Sequence, residues 1–292
     1  MTPVLTPTKD PATAQARAGG TPERKPCPVC PHHCNLAEGG TGLCRARGGE
    51  GGKNCLNYGD IASLSLDPIE KKPLKRFQPG GMVLSVGSFG CNLRCPFCQN
   101  HEISMTSPGG RQKASPKELA NLAASLQSKG NIGLAYTYNE PLVGYEFVRD
   151  CAKEIRARGM QNVLVTNGSF CLEPLEELIP LIDAANVDLK GFTQEFYGWV
   201  GGDLETVKRF IARLAGTCHV EVTTLIVPGR NDGEEEMDRL SSWLSGLGDI
   251  PLHLSRCFPR YHFDAAPTPA DKLYALADIA RTHLKYVYLG NI

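Results

Sequence analysis

The chain has 292 residues, of which 41% are hydrophobic, so it can bury a sizeable core and global disorder is not expected. Lys plus Arg and Asp plus Glu are both 31, and this neutrality gives no electrostatic argument for a nucleic acid or an anionic membrane as partner. No apolar run approaches the ~18 residues of a membrane helix, and the N-terminus lacks the apolar centre of a signal peptide, which together predict a cytoplasmic location.

Three regions follow one another along the chain. Residues 1–25 are rich in Pro, Thr, Ala and Gly, and we expect them to form a disordered leader. Residues 26–80 contain many Cys, Gly and Pro but little hydrophobic periodicity, which predicts a small Cys-rich module held by a metal or packed on the rest. Residues 81–292 alternate short β-branched strands with amphipathic helices, which is typical of parallel sheets with right-handed crossovers.

This alternation predicts an α/β fold, a parallel partial barrel of the (β/α)6 TIM type preceded by the Cys-rich module. The predicted strands are 82–86, 132–136, 163–166, 187–189, 220–227, 252–254 and 286–289. The predicted helices are 116–128, 142–158, 172–181, 204–214, 234–247 and 270–284, the first of them opened by a capping box from Ser115 to Glu118.

Residues just beyond the carboxyl ends of parallel strands share one face in such folds. Nearly every unusual polar residue of the barrel region falls at such a position, strand after strand. They are Cys91, Cys95 and Cys98, then Asn139 and Glu140, Asn167 and Gly168, Lys190, Arg230 and Asn231, and Arg256. We therefore expect the chemistry to lie at this rim.

The segment GCNLRCPFCQN spaces its cysteines as Cys-x3-Cys-x2-Cys, at Cys91, Cys95 and Cys98. Three thiolates can bind three irons of a 4Fe–4S cluster. Since no fourth cysteine follows at ferredoxin spacing, the fourth iron would stay open for a substrate or cofactor. A structural zinc site with a more remote fourth ligand is the competing interpretation.

The motif, with Phe97 just before its last cysteine, resembles that of the radical S-adenosylmethionine (SAM) superfamily. The resemblance implies a cluster that reductively cleaves SAM to methionine and a 5'-deoxyadenosyl radical, which abstracts hydrogen from a substrate. It also implies a reductant such as flavodoxin or ferredoxin as a partner.

Motifs after later strands strengthen this resemblance. YTYNEP, residues 136–141, stands where the superfamily has a Gly-Gly-Glu-type motif, which implies that Glu140 accepts hydrogen bonds from the methionine ammonium. TNG, VDLKG and IVPGRND look like segments of pyruvate formate-lyase-activating enzymes, and Asp188 and Lys190 would then contact the ribose or carboxylate. The cofactor contacts implied are Phe97, Asn139, Glu140, Thr166, Asn167, Gly168, Asp188 and Lys190.

Residues 27–292 resemble more closely the radical enzymes of the AmmeMemoRadiSam system. The matching segments are CPVCPHHCNLAEGGTGLCRAR, DPIEKKPL, NHEIS, YTYNEP and HLSRCFP. The family name implies Memo-type and AMMECR-type proteins as partners, whereas a substrate does not follow from the resemblance.

Two further groups of residues are candidates for function. Cys27, Cys30, Cys34 and Cys44 follow Cys-x2-Cys-x3-Cys-x9-Cys, and four such soft ligands can bind zinc or an auxiliary iron–sulfur cluster; the spacing leaves both open. Near the end of the chain Cys257 lies close to the predicted rim, and the catalytic or substrate-contacting candidates there are His253, Arg256 and Cys257.

Three functions compete for this chain. The first is hydrogen abstraction from an unidentified small molecule or protein by a radical SAM enzyme. The second is activation of a glycyl-radical enzyme, as in the pyruvate formate-lyase branch. The third belongs to another class, a non-catalytic iron–sulfur or zinc interaction protein, which would not bind SAM.

Overall fold

The computed structural model describes residues 26–107 and 111–292 of the chain. Residues 1–25, for which the sequence predicts a disordered leader, lie outside the described residues. The main element is an eight-stranded sheet with strands β1 to β8 in chain order. They are β1 (Ser63–Pro68), β2 (Met82–Gly87), β3 (Asn131–Tyr136), β4 (Gln161–Thr166), β5 (Ala184–Asp188), β6 (His219–Ile226), β7 (Leu252–Arg256) and β8 (Val287–Gly290).

The sheet is mostly parallel, and its strands lie side by side in chain order. Strands β2 to β8 pair in parallel, for example through Leu84 and Leu134, whereas β1 runs antiparallel to β2 at one edge. Strands β1 and β8 are the two edges, with no pairing between them in the part of the chain that the structure describes. The predicted mostly parallel α/β fold is confirmed, and the antiparallel β1 is an addition to it.

Helices connect the successive parallel strands. The α-helices are His101–Ser104, Pro116–Ser125, Tyr145–Arg156, Leu172–Leu175, Gln194–Val200, Leu204–Ala215, Glu234–Ser245 and Ala270–Arg281. Short 3-10 turns lie at Glu50–Gly52, Ile69–Lys71, Gln127–Lys129, Pro141–Gly144 and Ile179–Leu181. No helix within residues 26–107 and 111–292 has both the length and the apolar character needed to cross a bilayer.

The two faces of the sheet pack against different parts of the chain. Side chains on the outer face, such as Leu134 and Leu164, belong to the main core beneath the helices. Ile69 and Leu74, from the segment that links β1 to β2, are fully buried and pack against four inner-face residues of neighbouring strands, Val83, Ala135, Val163 and Ala184. The Lys75 and Arg76 N–H groups of the same segment donate to Glu221, near the start of β6. The linking segment therefore covers the inner face toward the amino-terminal end of the sheet.

The region before β1 is tied to the rest of the fold by a buried arginine. Arg47, only 4% exposed, donates to both carboxylate oxygens of Glu146 in helix Tyr145–Arg156, at 2.7 and 2.6 Å. Its Nε donates to the Gly52 carbonyl at 2.9 Å. Short strand pairs complete this region, Arg47–Gly48 with Asn54–Cys55 and Asp60–Ile61 with Gln112–Lys113.

Candidate functional site

The loop after β2 carries Cys91, Cys95 and Cys98 at the carboxyl end of the sheet. Cys95 is buried and the other two thiols are half-buried. The Leu93 N–H donates to Cys91 Sγ at 3.4 Å, and the Cys98 N–H donates to the Cys95 carbonyl at 3.2 Å. Burial, and then the neighbouring Glu140, Cys95 and Cys98, raise the pKa of Cys91 above its usual range. The three thiols are therefore neighbours in space.

Backbone contacts hold this loop in one shape. Gly90 has φ +92°, and a Cβ added there would lie 2.4 Å from the Cys44 carbonyl oxygen, so only glycine fits. The Arg94 N–H donates to the Val200 carbonyl at 2.7 Å, and its guanidinium donates to the Cys91 carbonyl at 2.9 Å. The loop is fixed both to the N-terminal region and to the helix that follows β5.

Glu140, in the loop after β3, is 3% exposed and joins two neighbouring loops. Its Oε1 accepts from the Leu142 N–H at 3.0 Å and the Thr166 hydroxyl at 2.7 Å, and its Oε2 accepts from the Asn167 N–H at 2.7 Å. Burial raises the pKa of Glu140 to about 7, although these three bonds act in the opposite direction. Glu140 thus braces the TNG turn after β4.

Asn139 lies beside Glu140 but serves the cysteine loop. Its Nδ2 donates to the Phe89 and Gly90 carbonyls at 3.2 and 3.0 Å, and its Oδ1 accepts from the Ser88 N–H at 2.9 Å. Every polar atom of its side chain therefore has a backbone partner. Asn139 therefore holds the backbone of residues 88–90, directly before Cys91.

Asn167 reaches the cysteine loop from the next strand. Its Nδ2 donates to Cys91 Sγ at 3.6 Å and to Asn92 Oδ1 at 2.9 Å. Gly168 follows with φ +67°, a conformation that glycine adopts at little cost, and its N–H donates to the Thr166 hydroxyl at 3.1 Å. The TNG turn therefore donates hydrogen bonds to Glu140 from Thr166 and Asn167, and to Cys91 from the Asn167 side chain.

Asp188 and Lys190, at the end of β5, form an ion pair beside the other two cysteines. Lys190 Nζ lies 2.8 Å from Asp188 Oδ2. Burial alone would lower the pKa of Lys190, but Asp188 and the Cys95 and Cys98 thiols outweigh it, and the pKa lies above its usual range. A cation therefore stands close to two of the three thiols.

Phe97 packs away from these polar groups. It is 6% exposed, and its ring centroid lies 5.5 Å from that of Trp199 and 6.3 Å from that of Phe196. Its place is in an aromatic cluster that backs the cysteine loop.

The backbone brings two of the four N-terminal cysteines together, since the Cys27 N–H donates to the Cys34 carbonyl at 3.0 Å. Cys27, Cys30 and Cys44 are buried, and Cys34 is half-buried. Burial, and then the Cys44 and Cys27 thiols, raise the pKa of Cys30 to about 12. Within residues 26–107 and 111–292, neither these cysteines nor the Cys91 group has three metal-ligating side chains already arranged around a single ion.

The candidates near the end of the chain, His253, Arg256 and Cys257, have hydrogen-bond partners outside the cysteine loop. His253 lies at the second position of β7, and its Nε2 is 2.5 Å from Glu221 Oε2, so it lies toward the amino end of the strand and not at the rim as expected. Arg256 does end the strand, but its Nε donates to the Thr268 carbonyl at 2.5 Å. Cys257 is 1% exposed, and burial raises the pKa of its thiol.

Sequence reasoning missed two features of the site. Asn92, inside the cysteine motif and 2% exposed, donates to the Ser169 carbonyl at 2.5 Å and so joins two loops. Tyr138 has φ +72°, and its hydroxyl donates to Asp67 Oδ2 at 2.8 Å. The only sequence signals were a polar residue between two ligand candidates and a tyrosine at a position where glycine was expected.

The model of the Radical SAM superfamily matches residues 85–244, the part of the chain that contains the cysteine loop and strands β3 to β6. The chain is 40% identical over 278 residues to protein MJ0808 of Methanocaldococcus jannaschii, covering 91% of this chain and 81% of that one. It is 26% identical over 167 residues to pyruvate formate-lyase 1-activating enzyme of Escherichia coli, covering 55% and 68%.

Among solved structures, the fold is similar to that of Streptococcus suis SuiB bound to S-adenosylmethionine. The TM-score is 0.55 at 12% identity, over 69% of this chain and 48% of that one, so this chain spans about half of SuiB. The likeness supports the fold. The family match covers more than half of the chain, and this protein belongs to the radical SAM superfamily, whose members are enzymes that use a 4Fe–4S cluster and SAM.

Proposed function

We propose that this chain binds a 4Fe–4S cluster through Cys91, Cys95 and Cys98 and uses it to cleave SAM for hydrogen abstraction from a substrate. The observation that carries the proposal is the convergence of three thiols with Glu140, Asn167 and Lys190 at the carboxyl ends of neighbouring strands. A structural zinc site would not require these further polar groups.

The donor set fits a cluster with an open iron. Thiolates are the usual ligands of iron–sulfur clusters, and three thiolates leave one iron of four unligated by protein. Hydrogen bonds to the sulfurs tune such clusters, and Cys91 Sγ accepts from the Leu93 N–H and the Asn167 amide. When bound, the cluster supplies the electron that cleaves SAM to methionine and a 5'-deoxyadenosyl radical, which abstracts hydrogen from substrate.

Glu140 fits the ammonium group of SAM. An ionised carboxylate has roughly four acceptor sites, and three protein donors occupy only one site on Oε2 and two on Oε1. Among the described residues no Lys or Arg forms a salt bridge with it, so its charge lacks a cation although it is buried. An ammonium at Oε2 would supply that cation through a charge-assisted hydrogen bond.

We propose that Asp188 contacts the ribose of SAM and that Lys190 acts on the cluster thiolates. Their side chains are 18% and 33% exposed, so both still reach the space above the sheet. Lys190 would offset the negative charge of the thiolates, and Asp188 would accept from ribose hydroxyl groups. Asn139 and Phe97 act through the loop, because their contacts are to backbone and aromatic neighbours.

The proposal extends to the surroundings of the reaction. A one-electron reductant such as flavodoxin or ferredoxin would supply the cluster. None of the twelve cysteines, all of which lie in the described residues, is joined in a disulfide, which supports a reducing, cytoplasmic location. Memo-type and AMMECR-type proteins are proposed as partners on the resemblance of residues 27–292 alone.

Anaerobic reconstitution tests the assignment directly. The wild-type chain with dithionite and SAM is expected to form 5'-deoxyadenosine and methionine. The Cys91→Ala, Cys95→Ala, Cys98→Ala triple variant is expected to form neither, whereas the Cys218→Ala variant, which removes a thiol outside the site, is expected to react normally. Undiminished SAM cleavage by the triple variant would contradict the proposal.

A second candidate function is activation of a glycyl-radical enzyme. The similarity to pyruvate formate-lyase 1-activating enzyme favours it. In that case the hydrogen atom would come from a glycine Cα of a partner protein, and a stable glycyl radical would appear by electron paramagnetic resonance when the partner is added. Rapid SAM turnover with a small molecule and no partner radical would favour direct modification.

A further inference from the structure

A second group of thiols lies outside the proposed SAM site. Cys27, Cys30 and Cys44 are 3%, 6% and 5% exposed, and Cys34 lies beside them in the chain. We propose that these four thiolates bind a second centre of a soft metal, zinc or iron–sulfur. This centre holds the N-terminal region, residues 26–62, on the Cys91 loop.

The turns around these cysteines have the form of metal-binding turns. The Cys27 N–H donates to the Cys34 carbonyl at 3.0 Å, and the His33 N–H donates to the Cys30 carbonyl at 3.1 Å. In the second bond the donor lies three residues after the cysteine, which is the relation of Cys98 to Cys95 in the proposed cluster loop. The two bonds bring Cys27 close to Cys34 and turn the chain between Cys30 and Cys34.

Backbone strain gives independent support. His33 and Arg45, each next to one of the cysteines, have φ +41° and +66°. A left-handed conformation costs a residue with a side chain roughly 1–2 kcal/mol. Such residues persist where the surrounding structure fixes them, and they cluster at functional sites. A metal bound by Cys30, Cys34 and Cys44 would fix both turns.

The N-terminal region buries little apolar surface of its own. Cys44 and Ala46 form only a small core cluster with Val143, and the larger core receives just Cys27, Val29 and Ile61 from this region. Small regions of this kind commonly depend on a metal, since metal binding and folding are coupled. Four thiolates are the ligand set that zinc and iron–sulfur clusters prefer.

The second centre would touch the first through shared hydrogen bonds. His32, two residues after Cys30, has its Nε2 2.7 Å from the Asn92 carbonyl. Asn92 in turn accepts from Asn167, which donates to Cys91. Hydrogen bonds through Asn92 and Asn167 therefore join His32, which lies between Cys30 and Cys34, to Cys91, and loss of the second metal is expected to loosen the cysteine loop.

Metal analysis of the cluster-loop triple variant tests this inference independently of the proposed function. After anaerobic reconstitution of the full chain, the Cys91→Ala, Cys95→Ala, Cys98→Ala variant is expected to retain about one zinc or about four irons per chain. Absorption and Mössbauer spectra distinguish the two metals. A triple variant that retains neither metal, together with a wild type of only four irons and no zinc, overturns the proposal.

Cysteine variants of the second site identify its ligands. Changing Cys27, Cys30, Cys34 and Cys44 to Ser is expected to remove the excess metal and to raise amide hydrogen exchange in residues 91–98. Cys55→Ser is the matched control, because Cys55 lies in the same region but its thiol donates to Asn57 Oδ1 at 3.2 Å, and it is expected to keep the metal. Loss of metal in Cys55→Ser would refute the four-ligand assignment.

Discussion

Replacing Glu140 by Gln tests the cofactor site most sharply, because shape is kept and charge is removed. Glu140 accepts from Leu142 and Thr166 on one oxygen and from Asn167 on the other. A glutamine amide must place its NH2 group against one of the two backbone N–H donors. The variant therefore loses the charge for the SAM ammonium and leaves one of the two backbone donors unpaired.

The expected loss of affinity for SAM follows from these contacts. A charged hydrogen bond contributes roughly 1.5–3 kcal/mol, so we expect SAM to bind about tenfold to a hundredfold more weakly. Cys91, Cys95 and Cys98 are unchanged, so the iron content is expected to stay at the wild-type level. The affinity is measured by anaerobic calorimetry on reconstituted protein, with iron and sulfide determined on the same samples.

The matched control is Glu235→Gln, the same chemical change at a side chain that is 96% exposed. It is expected to bind SAM like the wild type. If Glu140→Gln also binds SAM with unchanged affinity while keeping its cluster, Glu140 does not hold the ammonium. Its role would then be limited to bracing the TNG turn.

Three further changes test other parts of the structure. Gly90→Ala forces a Cβ to 2.4 Å from the Cys44 carbonyl at φ +92°, so we expect a loss of roughly 1–3 kcal/mol in unfolding free energy and less bound iron, by urea titration and metal analysis. Tyr138→Phe removes the bond to Asp67 and is expected to cost roughly 1.5–3 kcal/mol, by the same titration. Burial would raise the pKa of Glu221, but its bonds from histidine side chains and backbone lower it to about 2 from 4.5. The stabilisation by ionised Glu221 is therefore present above pH 4.5 and is lost as the pH falls toward 2. Over that range the unfolding free energy of the wild type should fall by about 3 kcal/mol more than that of Glu221→Gln. Equal losses in the two proteins would show that Glu221 is not the group responsible.

The order of the strands and helices was predictable because each element has its own local sequence pattern. Each parallel strand is a short apolar run flanked by turn residues, and the cysteine motif follows the first of them. Strand β1 was not predicted, because Ser63–Pro68 lies within residues 26–80, for which a small Cys-rich module was predicted, and its pairing with β2 is a tertiary contact. Its alternation of Ser and Leu was the available signal.

The position of His253 between the amino-terminal and carboxyl-terminal ends of the sheet could not be predicted from the sequence. His253 was expected at the rim because it lies in a strand whose end reaches the rim. Its partner, Glu221, also accepts from the Lys75 and Arg76 N–H groups at 3.0 and 2.7 Å, so the linker fixes this pair at the amino-terminal end. These tertiary contacts of Glu221 reveal the depth of His253, and the sequence of β7 alone does not carry them.

Tyr138 shows why a departure from a family pattern can carry information. A left-handed tyrosine costs roughly 1–2 kcal/mol, which a glycine at the same position would not. The Asp67 bond at 2.8 Å contributes roughly 1.5–3 kcal/mol, and Lys72 Nζ lies 4.7 Å from the ring centroid, a cation–π contact of roughly 0.5–2 kcal/mol. These contacts outweigh the strain, so the tyrosine is held by its side chain. Asp67 and Lys72 belong to the β1 strand and the linker after it, and Tyr138 therefore ties the segment that covers the amino end of the sheet to the loop beside Glu140.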